Sequence, residues 1–488
     1  MLTIKRKGLP WLLLMIVSFT IVYSFIGIQK HTHFQTFGWD TAVFDQQFYL
    51  LSQFKAPYSS LVKMNGLGDH FQLIPLLLGG LFYRVYSHAN MLFILQSLVA
   101  CLSAWPLYLI TVFLLKKTKL TGLAGKTIGL SICFSYLFSV PFQSMLTDEF
   151  HNEPFIAAPL LLMIYFLLKN NNLWYWINYV LILMTKEIFG LLGIPLGIYV
   201  WLKKKNVKKA VLTALVGLLT FYLLLFQVMP SLAGTESYLH FGGHNNPQYL
   251  VNKFVSGPSR LITELIDHPE KRKTITASLF SFGFLPLLAP TELIAPLFSL
   301  AMRFYDDTTP RLYAFNNHYA APLMPLLSVA LSFGVFNLLK IIKRKRIIKY
   351  WWVLSLYLII ISLIQSYIFH GPINSLLKPQ FYQTASWEKD ANELISKVPK
   401  EAVIATQNSL LPHLSQRDNF YLLPEVGEAE FIVVDLADGP NKFSPLDQQK
   451  TRILVNNLIE NEQYQIAWQK NDSWLLKKTV KVEVEKGQ

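Results

Sequence analysis

Long apolar segments alternate with short polar ones along most of this chain. Runs of about 20 apolar residues are long enough to cross the hydrocarbon core of a bilayer as helices. The pattern therefore predicts an α-helical, polytopic membrane protein with about eleven spans, several of them, around residues 172–202 and 276–305, shorter than a full crossing. The predicted spans are residues 9–28, 91–115, 125–147, 154–168, 172–185, 188–202, 207–231, 276–289, 292–305, 320–341 and 350–369.

Two longer polar stretches separate these spans. Residues 29–90 contain an amphipathic segment near 41–54 and an apolar one at 71–86, which carries Gly79, Gly80 and Arg84. An internal arginine and two glycines favour an interfacial or re-entrant helix over a full span. Residues 232–275 form a second large polar loop, rich in Gly, His and Asn.

The pattern changes after residue 370. Short β-branched runs at 402–406, 420–423 and 431–436 predict strands, and residues 384–397 and 445–460 predict helices. We therefore predict a transmembrane domain over residues 1–370 and a small α/β domain over residues 371–488.

Charge orients the predicted spans. Only 15% of the residues are charged, against about a quarter in soluble domains. With the N-terminus inside, the predicted inner loops hold 17 Lys and Arg and no Asp or Glu, the bias expected of cytoplasmic loops. Of the fourteen acidic residues before position 380, only Glu292 falls on the inner side. We predict a multi-pass plasma-membrane protein with a cytoplasmic N-terminus and an extracytoplasmic C-terminal domain. The net charge of +14 then reflects this topology and not binding to nucleic acid.

The titratable residues of the first loop are the first candidates for chemistry. Asp40 and Asp45 lie in the sequence 39–46, and either carboxylate could remove a proton from a hydroxyl or bind a divalent cation. The alternative is structural, because Asp40 is well placed as the N-cap of the amphipathic segment. Asp69 and His70 form a second pair, just before the apolar segment.

Three further clusters lie between predicted spans. Residues 148–153 bring three carboxylates and one imidazole into one outer turn: Asp148, Glu149, Glu153 and His151. These groups would be costly to bury unless paired or bound to metal, and the alternative is a solvated turn. Lys186 and Glu187 are adjacent, so they could form an ion pair beside the membrane that serves either function or structure. The last cluster consists of Arg303, Arg311 and His318. Its side chains could bind a lipid phosphate or anchor helices to lipid headgroups.

The order of these motifs resembles a known family. The residues that carry the resemblance are Trp39, Asp40, Asp45, Gln46, Gly68, Asp69, His70, Phe71, residues 148–151, Lys186, Glu187, Asn317, His318 and Tyr319. They look like an uncharacterised family of bacterial and archaeal polytopic membrane proteins, described as a domain of unknown function. That family is distantly similar to the GT-C glycosyltransferases, which use polyprenyl-phosphate-linked sugars. The resemblance covers about residues 30–330 and the pattern of the C-terminal domain.

The resemblance implies a GT-C-like fold and a set of roles. A carboxylate of the first outer loop would activate the acceptor, with Asp40 as first choice and Asp45 as second, assisted by Asp69 and His70. Other residues would contact the donor: Lys186, Glu187, Arg303, Arg311, His318, Asp148 and His151. A divalent cation, Mg or Mn, if one is used, would bind among Asp40, Asp69, His70 and Glu149. The partners implied are the bilayer, a polyprenyl-phosphate sugar and a cell-envelope acceptor.

Two rival functions use the same residues differently. A non-catalytic lipid or polymer transporter predicts charges through the full depth of the bundle, but Glu292 is the sole acidic residue of the inner half. An envelope assembly scaffold would rely on the C-terminal domain. Nucleotide-binding and metalloprotease motifs are absent from the sequence.

Overall fold

The computed structural model describes residues 8–118, 120–233, 257, 263–305, 310–342, 350–438 and 445–479. Most of the predicted outer loop 232–275 and the predicted basic inner segment 343–346 lie outside these residues.

The described chain is mostly helical, and its α-helices are Leu9–Thr32, Val43–Ser52, Gly66–Asp69, Leu73–Val85, Asn90–Cys101, Ala104–Lys116, Gly122–Phe138, Val140–Thr147, Ala157–Leu168, Asn172–Leu183, Gly193–Lys204, Val207–Leu223, Met229–Ala233, Pro269–Phe280, Pro290–Phe304, Leu323–Ile341, Trp351–Ile368, Ser386–Lys397 and Gln448–Glu460. Short 3-10 or π-helical turns occupy Gly38–Ala42, Glu153–Ile156, Glu187–Leu192, Leu224–Val228, Leu285–Leu288, Pro310–Tyr313, His318–Ala320, Pro372–Leu377, Pro379–Tyr382 and Leu411–His413.

Fewer helices than predicted have the length of a full span. Among the described residues, five helices are long and apolar enough to cross a membrane, or six if a pair bent by 50° is one span. These are Leu9–Thr32, Asn90–Lys116, Val207–Ala233, His318–Ile341 and Trp351–Ile368, with the bent pair Gly122–Phe138 and Val140–Thr147. The multi-pass membrane class is therefore confirmed, but the number eleven is not.

Helix length explains the difference in number. Helices such as Gly193–Lys204 and Pro290–Phe304 have 12 and 15 residues. At 1.5 Å per residue they extend roughly 18–22 Å, short of a hydrocarbon core of about 30 Å. The apolar segment 71–86 likewise forms a helix of 13 residues, Leu73–Val85, too short to span, in keeping with the interfacial or re-entrant prediction.

The chain divides into two compact units. The first contains residues 1–26, 67–75 and 93–378, and the second contains residues 27–66, 76–92 and 379–488. The second unit thus combines most of the first polar loop with the C-terminal segment. The sequence pattern predicts instead that this loop belongs to the transmembrane domain.

A five-stranded sheet forms the centre of the second unit. Its strands are β3 (Ile404–Thr406), β4 (Phe420–Leu422), β5 (Phe431–Asp435), β6 (Tyr464–Lys470) and β7 (Ser473–Lys478), in the order β4-β3-β5-β7-β6; a small hairpin of β1 (Tyr58–Ser59) and β2 (Met64–Asn65) stands apart from it. Strands β3, β4 and β5 are parallel, whereas β7 is antiparallel to both β5 and β6. The three predicted strands and two predicted helices are confirmed, while β6 and β7 were not predicted.

Side chains on alternate sides of the strands form two apolar cores. On one face, Ile404, Val433 and Leu475 pack with helix Ser386–Lys397 and with Phe34 from the first loop. On the other face, the core includes Ile432 and Leu476 of the sheet and Val455 of helix Gln448–Glu460. This alternation is the two-residue period of a sheet covered on both faces. The first loop therefore completes one core of the α/β fold.

Candidate functional site

Five titratable side chains meet in the first unit, and we call them the charge cluster. They are His70, Glu153, Lys186, Glu187 and His318. Two of them open 3-10 turns, since Glu153 begins Glu153–Ile156 and Glu187 begins Glu187–Leu192. The cluster is shielded from solvent, with 13% of the Lys186 side chain and 2% of the Glu187 side chain exposed. Buried charges of this kind persist only when they are paired.

Each carboxylate of the charge cluster has its own cation. Lys186 Nζ donates to Glu153 Oε1 at 2.6 Å, and His70 Nδ1 lies 3.0 Å from Glu187 Oε1. The backbone N–H of Phe71 donates to the second oxygen of Glu187 at 3.1 Å. The predicted ion pair between Lys186 and Glu187 is therefore wrong. Lys186 has extended backbone, so consecutive side chains diverge toward different partners.

Electrostatic attraction favours the charged forms of four members of the charge cluster: His70, Glu153, Lys186 and Glu187. Burial alone opposes ionisation of Glu153, but the Lys186 ammonium lowers the pKa of that carboxyl far below its usual value. Burial also opposes charge on Lys186, whose pKa is nevertheless raised by Glu153 and Glu187. The second pair shows the same balance. Burial opposes the charge of Glu187, but His70 lowers the pKa of that carboxyl. Burial and the Lys186 charge oppose protonation of His70, but Glu187 and Asp69 raise its pKa. The arrangement is a network of alternating charges.

The turn at residues 148–153 is mostly buried. Glu149, His151, Asn152 and Glu153 are buried, and only Asp148 is exposed. The backbone N–H of His151 donates to Gln96 Oε1 at 2.6 Å, and Asn152 Nδ2 donates to Gln72 Oε1 at 2.5 Å. The solvated-turn interpretation is therefore wrong, because amide side chains from neighbouring segments satisfy this turn.

Three residues of the first unit, near Glu153, could hold a metal ion. One ligand atom from each of Asp148, His151 and His318 lies within 4.8 Å of the others. The rings of His151 and His318 stack with centroids 3.6 Å apart. Glu149, predicted as a ligand, is outside this group, and its backbone carbonyl accepts a hydrogen bond from Gln96. Asp69 is buried directly before His70.

The two predicted phosphate-binding arginines have different surroundings. Arg303 is buried, and its guanidinium donates to the carbonyls of Leu312, Ala314 and Tyr319. These bonds use most of its donors to hold the segment that carries His318, which favours a positioning role. Arg311 is exposed, so its side chain can reach an anion in solution or a lipid headgroup.

The first-loop aspartates belong to the second unit and differ in environment. Asp40 is half-buried beside the exposed Trp39, inside the π-helical turn Gly38–Ala42. Helix Val43–Ser52 starts after that turn with Ala42 at its N-cap, so the N-cap interpretation of Asp40 is wrong. Asp40 is therefore partly accessible to solvent.

Asp45 is fully buried and held by three donors. Tyr83 Oη and Ser415 Oγ each donate to it at 2.6 Å, and Gln416 Nε2 donates at 3.0 Å. Burial raises the pKa of Asp45, and these hydrogen bonds oppose the rise. Asp45 therefore joins the first loop to the C-terminal segment within the second unit, which leaves Asp40 as the accessible carboxylate of the pair.

The sequence places Glu153 in the cluster 148–153 but predicts no role for it at the site. Glu153 Oε1 accepts a hydrogen bond from Lys186 and also lies 3.9 Å from His318 Nε2, so Glu153 lies between these two members of the charge cluster. Its position in the same short turn as Asp148 and His151 was the available signal. The amides of Gln72 and Gln96, which hold that turn, gave no signal because polar residues within apolar segments usually have structural partners.

Comparison with known proteins gives a family and a fold. The family model described as "Predicted membrane protein (DUF2079)" matches residues 30–476. No curated protein matches the chain. Among solved structures, ArnT from Cupriavidus metallidurans, bound to undecaprenyl phosphate, is similar with a TM-score of 0.53 and 10% identity, over 96% of this chain and 98% of that one. The family match confirms the predicted family of uncharacterised membrane proteins, and the structural similarity shows that this chain shares the fold of ArnT.

Proposed function

The chain belongs to the DUF2079 family of predicted membrane proteins, and from that premise we propose that it is a membrane glycosyltransferase. It moves a sugar from a polyprenyl-phosphate donor to a hydroxyl of an extracytoplasmic acceptor. The observation that carries the proposal is the two ion pairs of the charge cluster, Lys186 with Glu153 and His70 with Glu187, in a chain with the fold of ArnT, a protein whose crystal structure contains undecaprenyl phosphate. Ionised side chains are expensive near a membrane and are kept there mainly for function.

The chemistry needs a base and a good leaving group. The acceptor oxygen attacks the anomeric carbon, the bond from that carbon to the phosphate oxygen breaks, and polyprenyl phosphate leaves as an anion. Asp40 takes the hydroxyl proton, because it is the partly exposed aspartate of this pair, whereas Asp45 is buried. Positioning and charge stabilisation supply the remaining acceleration.

Cations of the first unit meet the donor phosphate. Lys186 has three ammonium protons, and one of them is directed at Glu153. Arg311 is exposed and offers a forked guanidinium. In this proposal Glu153 and Glu187 keep Lys186 and His70 charged and in place, while Arg303 holds the segment that carries His318.

A transporter would need titratable groups that remain unpaired in the inner half of the bundle. Glu292, the acidic residue there, forms an ion pair with Lys203 and is buried. An ion pair whose charges neutralise each other stabilises the structure and offers no free charge to a translocated substrate. This observation favours the enzyme over the transporter.

The test is sugar transfer by the purified full-length protein. Polyprenyl-phosphate sugars with a labelled sugar are supplied with cell-envelope lipids and polymers, and donor consumption is measured for wild type, Asp40→Asn and Asp418→Asn. Asp418 is the matched control, an exposed carboxylate of the same unit that pairs with Lys55. We expect turnover by wild type and Asp418→Asn and its loss in Asp40→Asn.

Each pattern of results has a defined meaning. Full activity of Asp40→Asn would remove Asp40 as the base. No consumption by a well-folded wild type across a broad donor panel would refute the glycosyltransferase and favour transport or assembly.

A further inference from the structure

A mixed carboxylate–imidazole group lies beside the charge cluster. Asp148 directly follows helix Val140–Thr147, His151 lies three residues later, and His318 opens the turn before helix Leu323–Ile341. Two segments far apart in sequence thus bring three ligand-type side chains together, with one ligand atom of each within 4.8 Å of the others. All three residues belong to the first unit.

Two buried atoms next to this group have unmet hydrogen-bonding capacity. Within the described part of the chain, Nδ1 of His318 and Oε2 of Glu153 are buried and have no hydrogen-bond partner. An unpaired polar atom in a protein interior is costly, so its retention calls for an explanation. A cation bound by one ring nitrogen of His318 would account for the first orphan atom.

Glu153 stands where a supporting carboxylate is found in metal sites. Its Oε1 lies 3.9 Å from Nε2 of His318 and accepts a hydrogen bond from Lys186 Nζ at 2.6 Å. Metal-bound histidines commonly direct their second nitrogen to a carboxylate, which fixes the ring and increases its basicity. Glu153 therefore has the position of a residue that orients a ligand without touching the metal.

The geometry needs a modest contraction to bind a metal. Bonds of about 2.1 Å in a tetrahedral site place ligand atoms about 3.4 Å apart, so the widest separation must close by roughly 1.4 Å. Asp148 is exposed and can rotate, and the stacked rings of His151 and His318 are already adjacent. Rotation of the exposed Asp148 side chain is the movement that we expect to close this separation.

We propose that Asp148, His151 and His318 bind one divalent transition-metal ion of the zinc class, with Glu153 as the orienting carboxylate and a coordination position open to water or an anionic ligand. Two imidazoles and one carboxylate favour zinc over magnesium or calcium, which prefer oxygen ligands. The proposal does not rest on the glycosyltransferase activity, because metal binding is measured without any substrate.

The experiment uses the full-length protein in detergent after treatment with a chelator. Binding of Zn²⁺ alone is measured by equilibrium dialysis with elemental analysis, and Co²⁺ serves as a spectroscopic substitute that absorbs visible light strongly in a tetrahedral site. We expect about one Zn²⁺ per chain in wild type and in the control His88→Gln, which changes an exposed histidine. His151→Gln and His318→Gln should each lower the affinity by more than about 100-fold, and Glu153→Gln by about 10- to 100-fold.

Folding of the variants is checked separately. If His151→Gln or His318→Gln unfolds, Asp148→Asn decides, because Asp148 is exposed and its removal leaves the interior intact. A loss of at least about tenfold in affinity in that variant supports the site. Less than stoichiometric Zn²⁺ in wild type, or an affinity that Asp148→Asn leaves unchanged, overturns the proposal. Metal binding without sugar transfer would refute only the proposed function.

Discussion

Replacing Lys186 by methionine tests the charge cluster most directly. The substitution keeps the length of the side chain and removes the cation that lies 2.6 Å from Glu153. At an effective dielectric constant of about 20, two unit charges at this distance attract by about 6 kcal/mol. Desolvation offsets part of that attraction, and breaking one partner of a buried pair costs roughly 3–5 kcal/mol. We expect Lys186→Met to destabilise the first unit by an amount in this range.

The chain supplies its own reporter for the measurement. Cys101 and Cys133 are both buried in the first unit, so a dye that fluoresces on reaction with thiols reports its thermal unfolding. A loss of 3–5 kcal/mol corresponds to a fall in Tm of roughly 5–10 °C. The matched control is Lys273→Met, since Lys273 pairs with Glu270 at the surface with 51% of its side chain exposed, and such pairs contribute about 0–1 kcal/mol.

A second substitution separates charge from packing. Glu153→Gln in the Lys186→Met background removes the uncompensated carboxylate, so the double variant should recover about 1–3 kcal/mol relative to additivity. In the single variant, burial raises the pKa of Glu153, and the stability deficit should therefore grow as the pH rises from 5 to 7.5. A Tm of Lys186→Met equal to that of wild type at pH 7.5, or strict additivity of the two substitutions, would refute the reasoning.

Three further predictions concern the other buried groups. The pKa of His70 is raised in the folded state, so its pair with Glu187 contributes its full stability below a pH of about 6.5. This contribution is lost as the pH rises through the folded-state pKa. The Tm measured with the thiol dye should therefore fall with rising pH in wild type but not in His70→Gln. Asp45→Ala removes the acceptor of three donors, the buried Tyr83 and Ser415 and the partly buried Gln416. It should destabilise the second unit by roughly 2–4 kcal/mol, measured as faster proteolysis of the C-terminal segment than in Asp418→Asn. Gly79→Ala places a Cβ about 2.3 Å from the Phe48 ring and should cost roughly 1–3 kcal/mol in the same assay; unchanged proteolysis would contradict the close helix packing.

The membrane class and the C-terminal elements could be read from the sequence because each depends on a local pattern. Long apolar runs gave Leu9–Thr32 and Trp351–Ile368 to within a few residues, and β-branched runs gave β3, β4 and β5. Strands β6 and β7 were missed because charged and amide residues interrupt their apolar pattern. Strand β6 is exposed along most of its length, which removes the signal of burial.

The candidate site was predictable only as a set of residue types. The sequence drew attention to Lys186 and Glu187 but paired them with each other, since adjacency is the only proximity that a sequence displays. Their actual partners, Glu153 and His70, are 33 and 117 positions away. The same limitation hid the difference between Asp40 and Asp45, because the donors to Asp45 include Ser415 and Gln416 from the far end of the chain.

The sequence by itself determined that this chain is a multi-pass membrane protein and that an α/β segment follows the last apolar run, and its basic loops predict which side of the membrane is cytoplasmic. These properties depend on hydropathy, charge and local propensity, which each residue carries wherever it lies. Only the tertiary structure decided which acid faces which base, that the first loop completes the core of the α/β unit, and that Asp148, His151 and His318 meet. Those facts depend on distances between segments remote in sequence, and burial and pairing energies act across those distances alone.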